Sequence, residues 1–141
     1  MSVCRDISKC CEEVQEKHKL FMAECKKEGL DVDVIETFRS NEVQTAYYSQ
    51  GRADLKTVND RRVKAGLSSI TEKDNHVITN TKAGMSKHNS GKAVDYAPRK
   101  NGVICWNDSS LFFKMGQIGK RVGFKWGGDW KTLKDCPHFE V

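Results

Sequence analysis

Two short stretches carry side chains that could do chemistry together. One is Ser86-Lys87-His88-Asn89-Ser90-Gly91-Lys92-Ala93-Val94-Asp95; the other is Asp135-Cys136-Pro137-His138-Phe139-Glu140. If residues 92–97 are extended, Ala93, Asp95 and Ala97 face one way and Val94 and Tyr96 the other. A carboxylate flanked on its own face only by alanines has space around it, which suits a ligand or catalytic group. His88 precedes this strand in a loop, and Gly91 lets the backbone turn so that His88 returns beside Asp95. Pro137 disfavours helix at Cys136, so Asp135 and His138 stand where a loop enters a last strand. From there one can be a ligand while the other leans over an open position. Two imidazoles and one carboxylate make the three-protein-ligand shell of a catalytic zinc, and a second, unligated carboxylate can take the proton of its water. Spacing by itself leaves the alternative open, because a lone histidine is more often exposed or hydrogen-bonded than a ligand. Cys136 raises a Cys–His nucleophile, but no oxyanion or helix-start context accompanies it.

The elements that must position these residues can be read from periodicity. Ile7, Cys11, Val14, Phe21 and Cys25 recur at helical spacing, which predicts one amphipathic helix from Asp6 to about Lys27, stopped by Gly29. Leu30, Val32 and Val34 alternate with Asp31 and Asp33 in a strand that runs into Ile35-Glu36-Thr37-Phe38. Ser40 can cap a helix through Gln50, ended by Gly51. Residues 52–75 read as an irregular or partly helical excursion, and His76-Val77-Ile78-Thr79 as a short strand. An Asn101-Gly102 turn between residues 92–97 and Val103-Ile104-Cys105 suggests a hairpin. Asn107 or Asp108 can cap a helix carrying Leu111, Phe112, Met115, Ile118 and Val122, and Phe139-Glu140-Val141 ends extended. Helices and strands mix without βαβ alternation, so the expected class is α+β: a small antiparallel sheet with flanking helices and a metal site in a surface cleft.

The 141 residues suit one domain, with a helix over 1–29 and a motif-bearing core over 34–141, and leave no room for a second, binding module. Net charge is +5 and apolar residues make up 38%, which argues against wholesale disorder. No apolar run reaches the roughly 18–20 residues of a membrane span, and the N-terminus lacks the apolar region of a signal peptide. Synthesis in the cytoplasm is expected, with six reduced cysteines and no Cys-x-x-Cys pair. The basic run Arg52, Lys56, Arg61, Arg62 and Lys64 raises nucleic-acid binding, but no nucleic-acid motif accompanies it, so none is expected. A basic face would equally suit a polyanionic cell wall.

Ser-x-His-x-x-Gly-x-Ala-x-Asp followed by Asp-x-x-His resembles the signature of the M15 peptidases, zinc enzymes that cut peptidoglycan. Phe38-Arg39-Ser40 with Gln44 and Gln50-Gly51-Arg52 is similar to the family's arginine-bearing segment. Trp126-Gly127-Gly128-Asp129-Trp130 is similar to its L-alanyl-D-glutamate endopeptidase branch, found in phage endolysins. The resemblance implies that His88, Asp95 and His138 bind one Zn²⁺ and that Asp135 is the catalytic carboxylate. It makes Arg39 the group that stabilises the developing oxyanion or anchors substrate. Ser86, Gln44, Trp126 and Trp130 become expected substrate contacts. The implied activity is cleavage of the peptidoglycan stem peptide at the L-Ala–D-Glu bond by a monomer held in the host bacterial cytoplasm until the membrane is breached. A D-alanyl-D-alanine carboxypeptidase is the alternative.

Overall fold

A computed structural model describes residues 3–141. Asp6 caps a single 3₁₀ turn, Ile7–Lys9, by accepting from the Ser8 N–H, and α1 starts only at Glu12 and runs Glu12–Lys27. The expected single helix from Asp6 is therefore broken. Cys10 and Cys11 are extended because the Cys11 N–H is spent on Gly91 O at 2.8 Å, a tertiary bond that helix would forbid. Glu12 and Glu13 in the first turn of α1 and Lys26 and Lys27 in the last complement its dipole.

Strand β1 is Asp31–Glu36, and Ser40 Oγ caps α2, Asn41–Ser49, by accepting from Val43 N–H. Helix α3, Leu55–Lys64, is the helical part of the stretch expected to be irregular or partly helical; Asp54 caps it, and Val58 is its one buried residue, too little for a periodic signal to set its bounds. Residues 76–79 form no strand: among the described residues no neighbouring strand pairs with them, His76 N–H bonds locally to Asp74 O, and Thr79 O accepts from Arg52 Nη1. Strand β2, Ala93–Lys100, turns through Asn101 (φ 54°) and Gly102 (φ 79°) into β3, Val103–Ile104, as the Asn-Gly pair requires. Asp108 caps α4, Ser109–Arg121, and β4, Lys125–Trp126, and β5, His138–Glu140, complete the chain's elements.

The sheet is antiparallel, in the order β1-β2-β5-β4, with β3 on the far end of β2. Its apolar face carries Val94, Tyr96, Trp126 and Phe139, which pack against Val14, Phe21 and Cys25 of α1 and Phe112, Met115 and Ile118 of α4. Phe21 lies 4.4 Å from the Tyr96 ring and 5.5 Å from Phe139. Cys10 and Cys25 belong to this core, and burial pushes their thiols up to about 11 and about 12, so they behave as small apolar residues. The opposite face of the sheet carries Asp95, as the alternation in residues 92–97 predicts. Among the described residues no helix is long and apolar enough to cross a membrane.

Close approach of α4 to the sheet depends on two glycines. A Cβ on Gly116 would collide with the Trp126 indole, and one on Gly119 with the Phe139 ring. Gly119→Ala should therefore lower stability by about 1–3 kcal/mol through overpacking, outweighing the roughly 1 kcal/mol of helix propensity gained. Urea unfolding checks this by a lower midpoint; a higher one contradicts it.

Candidate active site

Register builds the site. On β1 and β2 the paired numbers run Asp31↔Arg99, Val32↔Pro98, Asp33↔Ala97 and Val34↔Tyr96, then shift by one so that Glu36, not Ile35, stands across from Asp95. On the other side of β2, Asp95 pairs with His138 of β5. Glu36, Asp95 and His138 thus form a row across three strands, and cross-strand partners share a face of the sheet.

His88 completes the group from the loop before β2. Its Nε2 is 3.1 Å from Asp95 Oδ1, and His138 Nδ1 is 3.3 Å from the same oxygen. One ligand atom from each of the three residues lies within 4.8 Å of the others. The outer nitrogens are tied: His88 Nδ1 donates to Thr37 O at 2.8 Å and His138 Nε2 donates to Glu140 Oε1 at 2.8 Å. When each imidazole carries only that outward proton, as a metal ligand must, both inner nitrogens turn lone pairs towards a carboxylate oxygen. Acceptors facing acceptors fit a cation between them, and outward hydrogen bonds of this kind orient metal-ligating imidazoles. The 3.1 and 3.3 Å spacings also match the roughly 3.3 Å edge of a tetrahedron built on bonds of about 2.0 Å. The donor set therefore fits a zinc ion.

The two aspartates differ. Burial pushes the Asp95 carboxyl up, but the charges and hydrogen bonds of His88 and His138 outweigh it and hold Asp95 below the usual carboxylate range. For Asp135 burial again pushes up, the negative charge of Asp95 adds to it, and the neighbouring cations do not compensate, so Asp135 sits above its ordinary value. Burial alone would lower His138, yet its hydrogen bonds to Asp95 and Glu140 raise it to about 9.

Arg39 lines the same cleft, which has a volume of about 550 Å³ and also receives Tyr47, Ser86, Trp130 and Asp135. Its Nη2 donates to Glu36 Oε1 at 2.6 Å and its Nη1 to Gln44 Oε1 at 2.8 Å, with the guanidinium 4.7 Å over the Tyr47 ring. Arg39 N–H donates to His88 O, which ties the arginine segment to the histidine loop. Ser86 is half-buried with Oγ accepting from His88 N–H, and Trp130 stands 5.0 Å from the His138 ring.

Two expected substrate contacts lie elsewhere. Trp126 is 5% exposed in the core, its Nε1 donating to Cys136 O at 2.7 Å; Gly128 after it and Gly116 of α4 leave room for its ring to turn inward. Gln44 is fully buried and bridges Arg39 to Thr81 O, so it positions Arg39 instead of touching the cleft. Cys136 packs against the core, and burial and Asp135 raise its thiol, opposite to what a nucleophile needs. Sequence reasoning missed Glu36, Thr37, Tyr47 and Glu140 as supports. Glu140 was the most accessible, since i and i+2 residues of a strand share a face. Thr37 in turn is held by the N-terminal segment: its N–H donates to Cys4 O at 2.7 Å and its Oγ1 to Asp6 O at 3.1 Å.

Known proteins resemble this chain in sequence and fold. An M15 peptidase profile described as D-alanyl-D-alanine carboxypeptidase matches residues 79–141. The peptidoglycan L-alanyl-D-glutamate endopeptidase CwlK of Bacillus subtilis (strain 168) is 34% identical over 137 residues, covering 91% of this chain and 71% of that protein. The L-alanyl-D-glutamate peptidase of Escherichia phage T5 is 32% identical over 92 residues, 58% of this chain and 66% of the phage protein. A crystal structure of a mutant vancomycin resistance D,D-pentapeptidase, VanY, in complex with Zn(II) shares the fold. Its TM-score is 0.60 at 15% identity, over 94% of this chain and 72% of that one. The fold and site define a metallopeptidase, and the chain belongs to the M15 peptidase family.

The Arg39–Glu36 pair is nearly sealed, with side chains 10% and 8% exposed. Glu36→Ala leaves a buried, uncompensated guanidinium and should cost about 3–5 kcal/mol. Chemical denaturation measures this, and a loss below 1 kcal/mol would show that solvent reaches Arg39.

Proposed function

We propose that the chain is a zinc-dependent peptidoglycan peptidase that cuts the stem peptide at the L-Ala–D-Glu bond and serves as a phage or prophage endolysin. The observation that carries this reading is the His88–Asp95–His138 donor group with the raised carboxyl of Asp135 in the same cleft. The bond is supported by the names of the CwlK and phage T5 relatives, the lysin role by the phage relative, and zinc by the donor set and the VanY complex.

In this reading His88 Nε2, Asp95 and His138 Nδ1 hold the ion, while Thr37 O and Glu140 keep each imidazole in the ligating tautomer. When bound, zinc supplies Lewis acidity towards a carbonyl oxygen and acidifies water. Asp135 takes the proton of the attacking water and passes it to the departing amine, so its raised proton affinity suits both halves of the transfer. Arg39, already paired to Glu36 and fixed by Gln44, offers its remaining N–H bonds as preset donors where negative charge develops on the substrate. Trp130 and Leu133 wall the cleft beside these groups. Synthesis in the host cytoplasm followed by action on the wall after membrane breach fits this role.

Mass spectrometry of one digested muropeptide tests the bond. Fragments with a new D-Glu amino terminus are expected, whereas release of terminal D-Ala would replace this reading with the carboxypeptidase activity in the family profile's description. Chelation should abolish cleavage and added Zn²⁺ restore it. Asp135→Ala should keep zinc and lose most activity, and His138→Ala should lose both; a fully active Asp135→Ala protein would remove Asp135 from its role. Glu140→Ala should weaken zinc binding by about 10- to 100-fold in a competitive chelator titration.

A further inference from the structure

The segment from Gly127 to Asp135 closes on itself at one main-chain oxygen. Gly127 O accepts from the N–H of Trp130 at 3.2 Å and from that of Asp135 at 3.0 Å, while Asp135 O accepts from His138 N–H at 3.1 Å. A Cβ on Gly127 would collide with Asp135 O, so the closure needs a glycine there. Within this loop Thr132, Leu133, Lys134 and Asp135 all border the cleft. A straight extended chain sends alternate residues to opposite sides. Leu133 breaks that alternation with a φ of 49°, a left-handed conformation that leucine rarely adopts and that persists where the surroundings impose it. The turn delivers Lys134 to the cleft directly beside Asp135.

Lys134 is a charge of the cleft that the proposed reaction does not use. Asp95 stands against two imidazoles, and Arg39 is paired with Glu36 at 2.6 Å and fixed by Gln44. Among the described residues the Lys134 ammonium has neither an ion pair nor a hydrogen bond, and residues 77–81 of the cleft lining carry no charge. An unpaired cation at the lip of a cleft fits an anion on the ligand. The proposed substrate supplies one. A glutamate that gives its amine to the scissile bond and one carboxyl to the next residue keeps its other carboxyl free, a few bonds from the departing nitrogen. Asp135 hands its proton to that nitrogen, so the free carboxylate comes to lie beside Asp135, within the sweep of a flexible lysine stem. We propose that Lys134 selects the acidic residue on the departing side of the scissile bond, its ammonium pairing with the free carboxylate of the glutamate. The inference rests on the peptidase function proposed above and adds the group that reads the substrate's charge.

The test uses two synthetic stem peptides that differ at one group: the free carboxyl of D-Glu, and the same position as a carboxamide of nearly equal size. In the unaltered protein kcat/KM for cleavage after L-Ala should favour the carboxylate peptide roughly 3- to 10-fold, the scale of one charged hydrogen bond in a partly open site. The preference should shrink as salt is raised. It should fall to about unity in Lys134→Met, persist in Lys134→Arg and invert in Lys134→Glu. No preference in the unaltered protein overturns the inference and leaves the peptidase function standing. A preference that survives in Lys134→Met does the same, and assigns the carboxylate to another group such as Arg39. Failure of the unaltered protein to cut either peptide after L-Ala removes the proposed function and the inference together. Lys134 is exposed, and circular dichroism checks that each variant is folded; if Lys134→Met is not, the Arg and Glu variants decide by the sign of the preference.

Discussion

A single extra residue in β1 governs the chemistry of the cleft. Were the pairing of Val34 with Tyr96 continued without a bulge, Ile35 would stand across from Asp95 and Glu36 would fall out of the row. The bulge at Ile35 brings Glu36 into line with Asp95 and His138, and Glu36 in turn fixes Arg39 at 2.6 Å. A bulge of this kind re-aims a side chain at little cost to the rest of the ladder. Here it puts two carboxylates and an imidazole side by side on one face of a sheet whose other face is wholly apolar.

Charge is then distributed so that each group has a separate task. Glu36 balances Arg39 and lets a guanidinium remain ionised when nearly buried. Asp95 is balanced by two imidazoles and stays an anion. Among the described residues Asp135 has no close partner of its own, and burial together with the charge of Asp95 pushes it towards holding a proton. Two aspartates of the same type are thereby given opposite proton affinities by environment alone, which suits the ligand and proton-carrier roles proposed for them.

Much of this was legible in the sequence, and the misses have physical causes. The Ser40 and Asp108 caps, the Asn101-Gly102 turn and the alternation around Asp95 are local signals, and each is present as expected. The break at Cys10 and Cys11 was invisible because it is imposed by Gly91, eighty residues away in the chain. Helix α3 rests on its Asp54 cap and one buried valine, which periodicity cannot detect. Trp126 read as cleft because glycines follow it, yet Gly128, with Gly116 of α4, makes room for its ring in the core, and Gly127 makes room for the Asp135 carbonyl. Glu36 was hidden because its position opposite Asp95 depends on a shift of register, which no pattern within β1 reveals. His88, Asp95 and His138 were readable through the family resemblance of their motifs, which spacing alone left open, and the structure brings the three together.

The supports of the cleft are drawn from nearly the whole chain. Cys4 and Asp6 hold Thr37, Cys11 is joined to Gly91, and the Val141 N–H reaches Lys92 O. Contacts so distant in sequence close slowly, because loop entropy must be overcome before they contribute. The second imidazole and its Glu140 partner arrive only with β5, a strand of three residues. A chain still on the ribosome therefore carries His88 and Asp95 without a complete donor set. Until β5 is added and docked, the three donors cannot stand together.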